Sequence, residues 1–597
     1  MNNKVSRCEF IKLGGLTLLG AITTNFAFAS SAFKKELKTL DLELLKRLVI
    51  NNDLKTKSIL EGNVLAEIHL LSSFRHLGKD VSIMTAALCN ENSKYYNSKF
   101  LIEKLNQYLD AMLEVQYEDG TLDAGGNRQS PPDTAFILEY MCAAASVLGQ
   151  NKLAQLNDSK EKLKTFIINA GEAMATGGVH TPNHRWVISA ALANINSLYP
   201  EPKYIQRVNQ WLAEGIYFTK DGHYSERSGV YSAVINKAFI TMARHLDKPE
   251  LLNYVNQNLM TYYYHTEDNG DLVSVESRRQ DQFMTLTVTK FYLQYRYMAI
   301  KKENSVFAFM VKFIETLPDF KSAILSNDLV FFMEDELLQN QVPLTANGSN
   351  NYEKFFPLTN LVRIKRENTS ITLFGGNDKP VMIVSGRSSN PNFLMYRKGD
   401  AILKYMRLST SFFRMGYFSS DGIEKVGNKY VLKETKKADY YQPLQEAYQK
   451  PDGDYELSPS LDGRFWNKMD FSSRRTSNVK KQITIIEITE NKGALELDFK
   501  VDGPPNVEVT IEMCFDQGSQ FTGGFKDAEG NYFLDLGEGL LSKGTDSIKI
   551  GPGKIGHKNV SKLDSEEYTY HQGTLRTEGT HVYITGFTPF KHKMTLR

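Results

Sequence analysis

Asp221-Gly-His-Tyr-Ser-Glu-Arg-Ser-Gly-Val-Tyr231, read together with Thr181-Pro-Asn-His-Arg-Trp186, decides how this chain folds. Each segment is a polar turn that runs into apolar residues with helical spacing. Ser228 is placed to cap a helix on which Tyr231 shares a face with Val234, Ile235 and Ala238, and Thr181-Pro182 reads as an N-cap followed by proline in the first helical position. One helical hairpin separates the two helix starts. The same three-and-four spacing recurs at 97–115, 134–148, 160–174, 186–198, 204–216, 230–246, 250–264 and 283–299, within a helical stretch from about residue 34 to about residue 317. Short loops rich in Gly, Pro, Asn and Asp join these segments, which predicts sequential antiparallel neighbours, roughly ten to twelve helices in pairs. The expected fold of this half is an (α/α) toroid, complete or incomplete.

After about residue 343 the texture changes. Stretches at 361–374, 381–385, 401–408, 429–433, 482–489, 494–501, 507–515 and 581–586 alternate or run in β-branched and aromatic residues between turn formers. They predict an antiparallel β-sandwich, with an Asn- and Gly-rich linker at 342–352. The N-terminus reads as an export signal: Lys4, Arg7 and Lys12 precede an apolar run at 13–28, and Ala27-Phe-Ala29 gives a small-x-small cleavage pattern. The run is too short to span a bilayer, so no stable membrane insertion is expected. Ser6-Arg-Cys-Glu-Phe-Ile-Lys12 resembles a bacterial twin-arginine signal with Cys8 in place of the second arginine, a departure that leaves the route open; the export signal implies a mature protein in the periplasm or outside the cell. The expected division is therefore a signal peptide at 1–29, a toroidal domain carrying the site at 30–345 and a sandwich at 346–597.

Bulk properties narrow the function. With 41% hydrophobic and 23% charged residues the 597-residue chain is of ordinary globular composition, and its net charge of +2 gives no footprint for nucleic acid. The mature chain keeps Cys89, Cys142 and Cys514, too few and too scattered for a disulfide framework or a cysteine zinc site. No metal ligand set is assigned, and no cofactor is required. The 30 Tyr and 34 Phe supply rings that serve sugar clefts and cores alike.

The two opening segments gather an amide, an imidazole, a carboxylate and a phenol at helix starts. Removing a proton from the carbon beside a carboxylate requires that carboxylate to be neutralised by donors before an ordinary base can act. Asn183 is a fitting donor, and Arg278 or Arg279, in Val275-Glu-Ser-Arg-Arg-Gln-Asp-Gln282, can pair with a carboxylate where the next helix is expected to start at Phe283. His184 and Tyr231 would share the proton duties, with the base not assigned between them, and Glu226 would orient a neighbour. Asn127 and Gln129, in the polar loop 119–134, are expected to line the cleft, and Trp186 and Tyr224 complete the expected sugar-contacting set. Tyr405, Arg407, Arg414 and Tyr417 fall in or beside an aromatic and basic stretch in the β half that could close over an acidic sugar, although such stretches are more often simply strands. Each residue alone also has a structural reading: Asn183 as a cap, Tyr231 as a packed core tyrosine, Ser130 or Asp133 as the cap of the helix after the loop.

Asn-His at a helix start, followed by Asp-Gly-x-x-x-Glu-x-Ser-x-x-Tyr leading into a later helix, resembles the heparinase II/III-like polysaccharide lyases, and more distantly the chondroitin AC and hyaluronate lyases. The resemblance implies a helical toroid with a β-sandwich, and β-elimination on an acidic, uronate-containing polysaccharide or oligosaccharide. It implies His184 and Tyr231 as base and acid and Asn183 as the group that helps neutralise the uronate. The chain departs from the pattern in one respect: such lyases often carry a histidine-bearing metal motif early in the sandwich, and residues 381–425 contain no histidine. Two other functions stay open at this point. A toroidal glycoside hydrolase needs two carboxylates about 5 to 9.5 Å apart, for which Glu226 with Asp119, Asp123 or Glu276 are the candidates. A glycan-binding envelope protein needs no turnover at all. The oligomeric state is not legible.

Overall fold

A computed structural model describes residues 39–597, other than 63, 66, 67, 69–73, 347, 377–389, 460–465, 561–568, 571, 572 and 575–577. The signal peptide expected at 1–29 and the strand expected at 381–385 lie outside the described residues. Residues from Leu40 to Arg597 form one compact unit.

The helical half contains α1 (Leu42–Glu61), α2 (Arg75–Cys89), α3 (Lys99–Val115), α4 (Pro131–Gln150), α5 (Asn157–Thr176), α6 (His184–Leu198), α7 (Pro202–Ala213), α8 (Gly229–His245), α9 (Leu251–His265), α10 (Tyr292–Lys302), α11 (Ser305–Ile314) and α12 (Leu329–Glu334). Serine side chains stop the fraying of three of them: Ser98, Ser130 and Ser228 accept the N–H of Leu101, Asp133 and Tyr231. Helices α2, α4, α6 and α8 pack each against the next, α10 follows on α8, and α12 returns to α2 and α4. Helices α3, α5 and α7 lie outside them and return the chain. The result is the toroid of helical hairpins that the periodicity implies. Among the described residues no helix is long and apolar enough to cross a membrane.

Two expectations for the helices need correction. The helix expected at 283–299 starts only at Tyr292, preceded by 3₁₀ turns at Gln280–Phe283 and Val288–Phe291. Thr285-Leu-Thr-Val-Thr289 is β-branched at four of five positions, and its backbone pairs sideways instead, with Leu272 N–H donating to Leu286 O (2.8 Å) and Val288 N–H to Gly270 O (2.9 Å). Helix α6 begins at His184 with Asn183 at its N-cap position, so Thr181 and Pro182 form the turn before it rather than its cap and first residue.

The β half packs two antiparallel sheets face to face. One runs, edge to edge, through Phe525–Lys526, Tyr532–Phe533, Thr580–Phe587, Glu508–Phe515, Ala401–Thr410, Leu394–Lys398, Thr369–Phe374, Leu361–Arg366 and Asn351–Phe356, antiparallel except between Tyr532–Phe533 and Thr580–Phe587. The other runs through Gln520–Thr522, Gly539–Lys543, Asp546–Gly551, Phe590–Leu596, Ala494–Asp502, Thr476–Asn491, Lys429–Tyr441 and Ile423–Val426. Alternate residues such as Val509, Ile511 and Met513 meet Ile486, Leu497 and Phe499 between the layers. The stretch expected as one strand at 361–374 is a hairpin, turning at Glu367 (φ 52°) so that Arg366 faces Thr369.

The two halves meet along a small apolar seam of Val273, Val275, Phe356, Leu361 and Phe374, reinforced by charge. Arg363, fully buried, pairs with Glu267 at 2.8 Å and donates to the Tyr264 carbonyl at 2.9 Å. Asp221 of the opening motif accepts the backbone N–H groups of Leu358 (2.7 Å) and Thr359 (2.9 Å), fixing its loop to the first strand hairpin.

Candidate active site

The start of α8 organises the site. Ser228 caps the helix and also donates to Asp281 Oδ2 at 2.9 Å, the same oxygen that accepts Gly229 N–H at 2.9 Å. Ser277 donates to the other Asp281 oxygen. A buried carboxylate at a helix N-terminus is favoured by the helix dipole, and here it ties the 277–281 loop to α8. That tie delivers Arg278 and Arg279 beside the loop that carries Glu226.

Glu226 is the hub. Its Oε2 accepts from Asn183 Nδ2 at 2.9 Å, its Oε1 lies 3.0 Å from Arg279 Nη1, and its carbonyl accepts the Arg278 N–H at 3.1 Å. Burial pushes its carboxyl pKa upward, with Asn183 and Arg279 opposing. Arg279 reaches further: Nη2 donates to the Tyr231 phenol oxygen at 3.3 Å while the guanidinium lies over the Tyr231 ring, 4.7 Å from its centroid. Gln280 Nε2 donates to the same oxygen at 3.2 Å. Arg278 turns its guanidinium to the Ser225 carbonyl at 3.3 Å.

Asn183 is fully buried and makes no cap bond to α6. Both amide protons are directed at oxygens, those of Glu226 and Thr181, and Oδ1 has no partner. His184, next along the chain, sets its ring edge-on to His180 (4.7 Å between centroids) and to Phe136 (6.4 Å), and its Nδ1 is buried without a partner. Burial, then the neighbouring His180, push its pKa down to about 4, so the imidazole is neutral at physiological pH.

Asn127 reaches the surroundings of His184 indirectly. It donates to Asp133 (2.9 Å), which also pairs with Arg75, and Arg75 lies 4.2 Å over the Phe136 ring. Gln129 is exposed, and its ordered contact is through its backbone N–H to Asp123 at 2.7 Å. Trp186 and Tyr224 are core residues: each is 3% exposed, each packs edge-on to Phe239, and the Tyr224 hydroxyl donates to Asn236 at 2.8 Å. An aromatic at a helix start looks the same in sequence whether it faces a cleft or the core. Arg407 follows the plain-strand reading: it is buried between the rings of Tyr405 and Tyr417 and pairs with Glu512 at 2.9 Å.

The structure therefore joins Asn183, Glu226, Arg279 and Tyr231 by direct contacts and sets His184 and Arg278 beside them. Sequence reading passed over Gln280, Asp281, His180, Arg75 and Phe136. Gln280 and Asp281 lie within the 275–282 stretch, but what they do depends on its meeting α8. A further trio, His223, His265 and Glu276, has its ligating atoms close enough together to hold a metal ion.

The combination of helical toroid and β-sandwich is a fold shared with polysaccharide lyases. The chain is similar to chondroitin AC lyase of Streptomyces coelicolor A3 in complex with chondroitin sulphate (10% identity, TM-score 0.51, covering 96% of this chain and 80% of that one). It is likewise similar to heparinase III (11%, 0.51, 88% and 76%) and to a Paenibacillus xanthan lyase (9%, 0.52, 93% and 57%). At such identities the likeness is one of fold. No protein-family model and no curated protein matches the chain in sequence.

Proposed function

We propose that this protein is a polysaccharide lyase that cleaves a uronate-containing glycan by β-elimination. The observation that carries the reading is the Tyr231 phenol oxygen, which accepts from both Arg279 and Gln280. With its acceptor capacity taken up, the phenol has its own O–H left to give, which suits an acid that protonates a leaving oxygen. Neutral His184 suits the complementary role of base. In this reading Arg279, and Arg278 beside it, pair with the uronate carboxylate and draw off negative charge as the C5 proton leaves to His184. The C5–H electron pair forms the C4–C5 double bond, the C4–O4 bond breaks, and the departing O4 takes the Tyr231 proton.

The hydrolase reading is weaker because the carboxylates expected to pair with Glu226 are engaged. Asp119 accepts from Thr121 N–H at 2.9 Å, Asp123 from Tyr117, Arg128 and Gln129, and Glu276 lies 3.0 Å from His265. The test is a panel of uronate glycans followed by ultraviolet absorbance of the unsaturated product. On whichever glycan is cleaved, His184→Ala and Tyr231→Phe each lower kcat by about 10²-fold or more. Full activity in both variants, or products without the ultraviolet band, overturns the proposal.

A further inference from the structure

His223, His265 and Glu276 come from three separate pieces of chain. His223 lies in the loop that carries Glu226, His265 ends α9, and Glu276 lies in the loop that carries Arg278 and Arg279. One ligating atom from each falls within 4.8 Å of the others, and none of the three residues is more than 1% exposed.

Hydrogen bonding within the trio does not close. His265 Nδ1 lies 2.8 Å from the Thr261 carbonyl oxygen, which can only accept, so the ring proton belongs on Nδ1. A neutral His265 then turns its Nε2 lone pair toward Glu276 Oε1 at 3.0 Å, where two electron-rich atoms repel. A proton on Nε2 would relieve that pair, yet it would leave His223 stranded, because both of its ring nitrogens are buried without a partner. Glu276 Oε2 is likewise unpartnered. A cation among the three groups takes up the His265 Nε2 lone pair, one ring nitrogen of His223 and a Glu276 oxygen at once. The 3.0 Å separation is close to the roughly 3.3 Å between adjacent ligands of a tetrahedral ion with bonds of about 2.0–2.1 Å.

We propose that His223, His265 and Glu276 form a structural site for a divalent transition-metal ion of the zinc class, which fastens the Glu226 loop to the loop of Arg278 and Arg279. Two imidazoles and a carboxylate suit zinc, whereas calcium or magnesium would require an oxygen-rich shell. The walls are apolar and aromatic: Phe356 lies 4.9 Å from the His265 ring and 6.5 Å from that of His223, and Tyr262 flanks both. Arg227 is a further cation acting on His223, and the buried Glu276 carboxylate opposes it. The assignment stands apart from the lyase reading, since it concerns what holds the loops together.

The test uses the full chain stripped by a chelator and titrated with Zn²⁺ alone by calorimetry, and with Co²⁺ by visible absorption. We expect one tight equivalent, a cobalt spectrum of four or five coordination, and a Tm that rises with zinc. His223→Ala lowers the affinity by at least about 100-fold, while His184→Ala, which removes a histidine outside the trio, leaves it unchanged. X-ray absorption of the zinc-loaded wild type, which needs no variant, should show imidazole scattering and no sulfur. Less than a tenth of an equivalent in the wild type, equal binding by His223→Ala, or a sulfur shell overturns the assignment.

Discussion

Arg279 holds two groups at once, the Glu226 carboxylate through Nη1 and the Tyr231 oxygen through Nη2, and so couples the charged hub of the site to its phenol. A lysine has one point of charge and no fork to span them. His184 shows how burial selects a protonation state: desolvation and His180 lower its pKa from 6.5 to about 4. As the free-enzyme base in the proposed reaction it is competent above that value, so the acid limb of kcat/KM should fall near pH 4 rather than near 6.5. A pH profile on a cleaved glycan checks this, and a limb at 6 to 7 would assign the base elsewhere. The same shift carries a stability consequence. Because the folded pKa is the lower one, the unfolded state gains protons first, and this residue's contribution declines as pH falls from 6.5 toward 4.

At the scale of elements, the loop between α7 and α8 is fixed from several sides. Asp221 is held by the β half, Ser228 by α8 and Asp281, and Gly222 by its backbone shape. Gly222 has φ of 83°, and a Cβ there would fall against Thr261 Oγ1, whose proton goes to the Asp221 carbonyl at 2.7 Å. Gly222→Ala therefore combines left-handed strain with overpacking, an expected loss of about 2–4 kcal/mol in chemical denaturation. Adding Thr261→Ala should recover part of that loss, since it removes the closest contact and leaves the strain and the tight approach to the Gln257 carbonyl. A Gly222→Ala protein as stable as the wild type would show that the loop is not pinned at this point. The α10 region teaches the converse about local signals. Apolar residues at 283–299 carry a helical period, but Thr285 and Thr287 favour extended backbone, and pairing with 270–272 holds the chain there in a strand-like form up to the 3₁₀ turn at Val288–Phe291.

For the whole molecule, the joint between halves is electrostatic as much as apolar. Burial alone would raise the pKa of Glu267, yet Arg363 and Arg397 outweigh it and bring the value down to about 2. With a folded pKa below the unfolded one, the stabilisation is complete above about pH 5 and is lost as pH falls from about 4.5 through 2. Its size is on the order of 3 kcal/mol. Glu267→Gln should be less stable than the wild type at pH 7, because Arg363 loses its buried partner, and should show a flatter acid limb in denaturation curves between pH 5 and 2. An unchanged limb would place the acid sensitivity elsewhere. The sequence by itself determined what depends on local period and turn chemistry: α3 to α9, most long strands, the Ser228 cap and the helix starts where Asn183, His184 and Tyr231 stand. Hydrophobic spacing and capping act over a few residues and can be read from a few residues. Only the tertiary structure decided which side chains meet. It placed Trp186 and Tyr224 in the core, made Glu226 the hub, and brought His223, His265 and Glu276 together from three loops and helix ends with no spacing in common. Those outcomes arise from packing between distant segments, where burial and charge pairing are settled by the fold and leave no mark in local sequence.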